Sequence, residues 1–432
     1  MCPTTRRVAT QAKAVPRKRG LSARGAAIAF ALLVALSTVL ACTGNLSPSG
    51  GWASPVTSGD WVYQATRQGS LIRVDAKTGL RDPAWQFPTE DQKFGVIYGT
   101  PLVTDNAVYA AAYTCRGDKC EARVYAVSTR DATPLWSERH FALETQIVGP
   151  LALSGETLLF GTADIERDRG RQGYLYAIDA RPDADKPLSE RIGNRLKWRV
   201  PVGGKIWGGV TVANGVAYFG SMDRSIYAVN ISDQLAAGAS RVLWTFEAEG
   251  AFVARPVVAG TKIYVGDFRG QFYKLDVEAR AADRTRRTLD ARREWSTELE
   301  GWVWAEPAIG DTAVFAGTLG GKVYALDIAT GRSSWATPTQ IEGQVIGSPT
   351  ILGAPGTPTL AVPSSKEDVW LLDLRSGTVL GEFNTRAAVD ATPVVRDGFV
   401  YIHSRNDQLQ TFAISSRARV NCIQTIGAKA CS

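Results

Sequence analysis

The chain has 432 residues, long enough for one large β domain or two ordinary ones. Its net charge of +7 comes from one end: Arg6, Arg7, Lys13, Arg17, Lys18, Arg19 and Arg24 lie upstream of residue 42 with no acid among them. Taking these 7 from 49 basic residues leaves 42 against 42 acidic ones, a formally neutral body that gives no case for a nucleic-acid partner, and 2 histidines argue against a His-ligated metal or a His general base.

The basic segment precedes an uncharged apolar run, Ala26–Ala41, and then the polar stretch after Cys42. A basic region, an apolar region and a small residue before the cut make a secretory signal over residues 1–41. Val39-Leu40-Ala41-Cys42 resembles a bacterial lipobox, in which Cys42 is lipidated and becomes the new N-terminus. An uncleaved anchoring helix and ordinary secretion are the alternatives, although the run is shorter than the ~20 residues of a span. Residues 42–51, rich in Gly, Ser and Pro, read as a flexible linker.

Cys2 falls in the discarded segment. The remaining cysteines form two close pairs, Cys115/Cys120 and Cys422/Cys431, which suggests two local disulfides in an oxidising compartment. A four-cysteine zinc site is the alternative, with the pairs about 300 residues apart.

From residue 52 a repeat begins. The first unit has Pro55, Trp61-Val62-Tyr63, a turn at Gln68-Gly69, Ile72–Asp75, Thr78-Gly79 and Trp85. The second runs from Pro101 through Tyr109 and Tyr125 to Trp136, the third from Pro150 through Tyr176–Asp179 to Trp198. The fourth has Val210, Tyr227–Asn230 and Trp244; the fifth has Pro256, Tyr273–Asp276 and Trp295. The sixth is the cleanest, with Pro307, Phe315-Ala316-Gly317, Tyr324–Asp327, Thr330-Gly331 and Trp335. The seventh keeps Pro349, Trp370–Asp373 and Ser376-Gly377 with Phe383 in place of Trp, and the eighth has Pro393, Val400-Tyr401-Ile402 and Phe412-Ala413-Ile414. Each unit offers four short alternating segments parted by turn signals, so the sequence predicts an all-β, eight-bladed β-propeller of four-stranded antiparallel blades over residues 52–432. Closure is expected from blade one packing on blade eight, helped by Cys422–Cys431.

The motif has a mechanical reading. Asp at the end of the third strand accepts hydrogen bonds from the following turn, Gly supplies its positive φ, and the Trp docks on a neighbouring blade with its indole N–H free for a carbonyl. Trp85, Trp136, Trp198, Trp244, Trp295 and Trp335 are therefore blade-docking residues. Insertions at 164–172, 181–195, 232–241 and 278–293 break the repeat and mark loops on one face.

Ala325-Leu326-Asp327 to Trp335, with its seven partial copies, resembles the repeat of the pyrroloquinoline-quinone (PQQ)-type propeller family over about residues 52–423. One branch, the quinoprotein dehydrogenases, implies a vicinal Cys-Cys pair, Ca²⁺ ligands and often C-x-x-C-H; this sequence has neither motif, so PQQ and Ca²⁺ are not expected. The other branch, BamB-like propeller lipoproteins, implies a non-catalytic, membrane-tethered scaffold that binds an envelope protein, with a role in outer-membrane protein assembly. Such a protein acts as a monomer anchored through Cys42, facing the periplasm from the outer membrane in a diderm and otherwise on the extracytoplasmic face of the cell membrane. A quinone-dependent or other redox enzyme, and a small-molecule or glycan binder in the channel, are the alternative functions.

The position three before each Pro or Val anchor holds Trp52, Tyr98, Ile147, Trp207, Val253, Trp304, Ile346 and Asp390, which the repeat frame places at the channel mouth, where the aromatics suit a plug of the channel better than a platform for a ligand. Arg255 and Glu306 occupy equivalent places on adjacent blades and suit a rim salt bridge better than an acid/base pair. The charged hairpins Asp223-Arg224, Arg269, Lys366–Asp368 and Arg405–Asp407 suit a protein partner. No catalytic residue and no metal site is assigned, and neither His140 nor His403 is given a role in chemistry.

Overall fold

A computed structural model describes residues 51–88, 95–117, 119–163, 173–236, 238–278, 292–353, 358–426 and 431. Eight four-stranded antiparallel sheets follow one another along the chain, each in simple up-and-down order, and adjoining sheets pack face to face as the blades of a propeller. Blade six shows the pattern: Ala308–Ile309, Ala313–Gly317, Lys322–Asp327 and Thr339–Gln340. Its two middle strands are almost wholly buried because blades press on both faces, so they read as continuous apolar runs rather than alternating ones. Outer strands such as Arg293–Glu298 are half solvated and polar.

A register shift recurs where the third strand meets the outer one, at Ala177/Ile178, Ala228/Val229, Lys274/Leu275, Leu371/Leu372 and Thr411/Phe412. This repeated bulge increases the local twist and lets each blade splay outward. Blades two and six depart from it. There the outer segment makes one isolated bridge, Val127 to Pro134 and Leu326 to Ser333, before a short outer strand forms farther on. Trp136 and Trp335 therefore sit in loops rather than in a ladder of strand pairing.

Apolar clusters fill the interfaces between successive blades, and among the described residues the ring closes without a strand exchange. Blade eight is Val394–Arg396, Phe399–His403, Gln408–Ala413 and Arg419–Gln424, all from the C-terminal end. Val62, Ile72 and Val74 of blade one pack with Tyr401, Leu409 and Ile423 of blade eight. The Tyr401 hydroxyl donates to the Ala76 carbonyl at 3.1 Å and the Asn421 amide to Gly79 at 2.8 Å. The Cys422–Cys431 bond joins two residues of the C-terminal segment to each other and makes no bridge to blade one. Closure is the work of the apolar seam, which corrects the expected help from that disulfide.

Antiparallel pairing puts the start of every first strand and the hairpins between strands two and three on one side of the disc, the mouth face. Turns between strands three and four emerge on the other. The insertions of blades three and four, at 181–195 and 232–241, lie on that opposite face. The expected insertion at 164–172 and most of 278–293 lie outside the described residues, as do residues 1–50, with Cys42 and all of the linker but Gly51.

Candidate functional site

Two surfaces stand out from the repeat. The first is the channel mouth, where a cavity of about 90 Å³ is lined by Trp52, Tyr98, Trp207, Val253, Trp304, Ile346 and Asp390. Ile147, the eighth residue of that set, is buried, and Val148 takes its place in the lining. Indoles from three blades meet across the axis. Trp304 of blade six lies 6.1 Å from both Trp52 of blade one and Trp207 of blade four, in edge-to-face contact, while Phe268 stacks on it at 5.7 Å. Tyr98 adds an edge-to-face contact to Trp52 at 4.5 Å. Such contacts between rings 4.5–7 Å apart stabilise by about 0.5–1.5 kcal/mol each, so the rings narrow the mouth as one assembly.

Deeper in the channel, the residue before each anchor proline sets how neighbouring blades are joined. Blades seven, eight, one and two carry Ser348, Thr392, Ser54 and Thr100 there. The Ser348 N–H donates to Thr392 Oγ1 at 3.0 Å, the Thr392 N–H to Ser54 Oγ at 2.8 Å, and the Ser54 N–H to Thr100 Oγ1 at 3.2 Å. Blades three and four carry Gly149 and Gly209, whose backbones touch; a Cβ on Gly149 would fall 2.3 Å from the Gly209 nitrogen. Blades five and six carry Arg255 and Glu306, paired at 2.7 Å. Asp390 is buried. One of its oxygens accepts from Arg405 Nε, whereas Oδ1 has no partner, nor has the buried Trp207 Nε1. Burial pushes the Asp390 carboxyl above its ordinary value, against the pull of Arg405.

His403 is a core histidine of the closing seam. Its Nδ1 faces Gln64 Nε2 at 3.0 Å and its Nε2 faces Asp407 Oδ1 at 3.3 Å. Asp407 feels burial most, which raises its pKa, but the bonds from His403, the Arg67 N–H and Thr425 outweigh that and hold it low. A quinone site of the dehydrogenase type would need acidic ligands for Ca²⁺. Both acids of the channel are instead engaged by arginines, and among the described residues no group of three or more His, Cys, Asp or Glu could hold a metal ion. Cys115 and Cys120 are bonded across the hairpin of blade two, five positions apart, beside Gln146.

The second surface is the opposite face. In blades six and seven a tight turn joins strands three and four. Asp327 Oδ1 accepts from the Thr330 N–H at 2.8 Å and its hydroxyl at 2.7 Å, and Asp373 does the same with Ser376. Gly331 (φ 71°) and Gly377 (φ 76°) lie flat on Trp295 and Trp335 of the preceding blades; an added Cβ would fall 2.7 and 2.5 Å from those rings. The indoles of Trp85, Trp136, Trp295 and Trp335 donate to carbonyls of the next blade, Ser128, Ala180, Ile328 and Leu374.

Blades three to five replace the glycine turn with an insertion, and an arginine takes over its task. Arg195, Arg241 and Arg292 lie over Trp136, Trp198 and Trp244 at 4.5, 4.2 and 4.3 Å, each donating to carbonyls at the end of its own third strand. Trp198 and Trp244 dock through this stacking; no partner meets the buried Trp198 Nε1, contrary to the carbonyl bond expected for every Trp. The sequence reading missed these arginines, although Arg-x-x-Trp recurs in all three units, at 195–198, 241–244 and 292–295.

In blade three the insertion is fastened hardest. Asp183, fully buried, pairs with Arg195 and accepts from the Ser137 and Ile192 N–H groups at 3.0 and 2.7 Å. Beyond that anchor a 3₁₀ turn, Leu188–Glu190, holds Leu188 82% exposed. Elsewhere, between blades three and four, runs an open groove of about 550 Å³ lined by Glu156, Lys197, Asn214, Asp233 and the exposed Leu243.

A family model described as outer membrane protein assembly factor BamB matches residues 33–182, 171–285 and 287–428, nearly the whole propeller. This chain belongs to the BamB-like family. It is 26% identical over 234 residues to the outer membrane protein assembly factor BamB of Burkholderia pseudomallei, 51% of this chain and 57% of that protein. It is 24% identical over 168 residues to the Yersinia pestis BamB, 37% of this chain and 40% of that one. The aligned stretches thus span 57% of one BamB relative and 40% of the other, less than two thirds of either. Among solved structures, the crystal structure of BamB from Moraxella catarrhalis superposes with a TM-score of 0.58 at 17% identity, covering 82% of this chain and 91% of that one. The computationally designed Ika8 protein gives 0.60 at 15% identity over 85% and 98%. At such identities the likeness to BamB and Ika8 structures is one of fold.

Proposed function

We propose that this chain is a propeller lipoprotein of the cell envelope, tethered through Cys42, that acts as a monomeric, non-catalytic scaffold for an envelope protein. Membership of the BamB-like family supports a part in outer-membrane protein assembly, with the propeller facing the periplasm. PQQ and Ca²⁺ have no role in this reading. The observation that carries the scaffold is the blade-three insertion. A solvent-facing loop is ordinarily left loose; this one is fixed by a fully buried ion pair and presents an exposed leucine. Fixing a loop in advance removes part of the ordering cost of association.

The test is affinity capture of the full-length lipidated chain from its native membrane, with Leu188→Asp as the comparison. Wild type is expected to retain an envelope protein that the variant recovers at least ~10-fold less well, with an unchanged melting temperature. Repeated capture of no envelope protein, or equal capture by the variant, would sink the reading.

A further inference from the structure

The mouth cavity lies on the other side of the disc from the blade-three insertion, and its chemistry is of a different kind. Its charges cancel: Glu306 is paired with Arg255 and Asp390 with Arg405. A charged ligand would leave one of these balances broken, so the site favours a neutral one. What remains for a ligand is a mixture of donors and acceptors. The Ser54, Thr100 and Thr392 oxygens each accept a backbone N–H from the neighbouring blade, and each hydroxyl keeps its own proton to donate. Two buried polar atoms in the wall, Trp207 Nε1 as donor and Asp390 Oδ1 as acceptor, have no partner. Orphaned buried groups of that sort cost stability unless something meets them.

Above this polar floor stand the indoles. A group with an apolar face and hydroxyls that both donate and accept answers all of these features, whereas a bare apolar ligand would leave the floor unmet. The cavity of about 90 Å³ has room for several waters, so for one small ring entering from the mouth, and falls well short of the ~300–1,000 Å³ of drug-sized sites.

We propose that the channel mouth is a binding site for a single neutral sugar ring, stacked against Trp52 and Trp304 and hydrogen-bonded by the hydroxyl floor and Asp390. The site is independent of the scaffold reading: it uses the mouth face, and the blade-three insertion plays no part in it.

Saturation-transfer NMR on the full chain tests this, with glucose, N-acetylglucosamine and free arginine as probes. Both sugars, or one of them, are expected to show saturable transfer concentrated on the C–H face of the ring. Trp52→Ala and Asp390→Asn should each weaken it by about 10-fold or more, while Leu188→Asp leaves it unchanged. Asp390→Asn preserves shape and removes a buried charge, so its melting temperature reports whether the fold is intact. Three outcomes overturn the proposal: no saturable transfer from either sugar, transfer that both mouth variants leave intact, or arginine displacing the sugars with tighter binding, which would mark a cation site instead.

Discussion

Trp335 shows what the recurring tryptophan does at the level of one residue. It is 3% exposed, donates to Leu374 of the next blade at 3.1 Å, and carries Gly377 flat against its ring. Trp335→Ala removes that surface and the bond together and is expected to cost about 3–5 kcal/mol. Trp244 is only partly buried and is covered by Arg292. Trp244→Ala should cost roughly half as much or less, because solvent already reaches the site and the neighbours can close over it. Urea denaturation of the two variants measures the difference as a larger shift in midpoint for Trp335→Ala. Equal shifts would show that the two tryptophans are held alike.

At the level of the element, the question is how a blade tolerates an insertion. In blade six the Asp327 N–H bonds the Arg332 carbonyl across a four-residue turn; in blade three the Asp179 N–H bonds the Arg195 carbonyl across an insertion of fifteen residues, 180–194. The outer strand therefore restarts in the same register, and only the covering of the previous tryptophan has to be replaced. Arg195 supplies it and also neutralises Asp183. Arg195→Ala leaves that buried carboxylate unpaired and should cost about 3–5 kcal/mol. Acid should mimic the loss. Burial raises the Asp183 pKa, but the Ile192 and Ser137 N–H bonds and the Arg195 charge outweigh it and hold the folded value below 3.8. A depressed carboxylate contributes stability that is complete above the unfolded value near 3.8 and fades as pH falls toward the lower folded one. Hydrogen exchange of residues 183–195, followed from pH 5 down to 3, should show this loop opening ahead of the blades; loss of protection in step with the blades would contradict it. The four strands per unit and the Asp-Gly turn were legible because they are local, set by alternation and by the need for positive φ. Arg195 was not, since its partners come from the preceding blade and from an irregular loop.

For the whole molecule the ring is the unit of stability. Each blade buries both faces of its middle strands, so no blade is complete alone and the first must meet the last. Removing residues 399–432 would bare the blade-one face that packs on Tyr401, Leu409 and Ile423, together with the matching face of blade seven. That truncation is expected to elute as aggregate in size-exclusion chromatography rather than as a seven-bladed monomer, because these faces are large, apolar and edged by free strands. A well-folded monomer would show that the ring can reclose. Sequence alone determined the architecture: eight copies of a strand-turn-aromatic sentence, each written in short-range periodicity, specify eight blades whichever side chains decorate them. Tertiary structure decided what the unlike residues do. Ring closure brings Ser348, Thr392, Ser54 and Thr100 into one chain of hydrogen bonds and three indoles from distant blades to one axis, and sets an arginine over a tryptophan of the blade before it. Those contacts join residues tens to hundreds of positions apart, and no local pattern encodes a distance that exists only once the disc is closed.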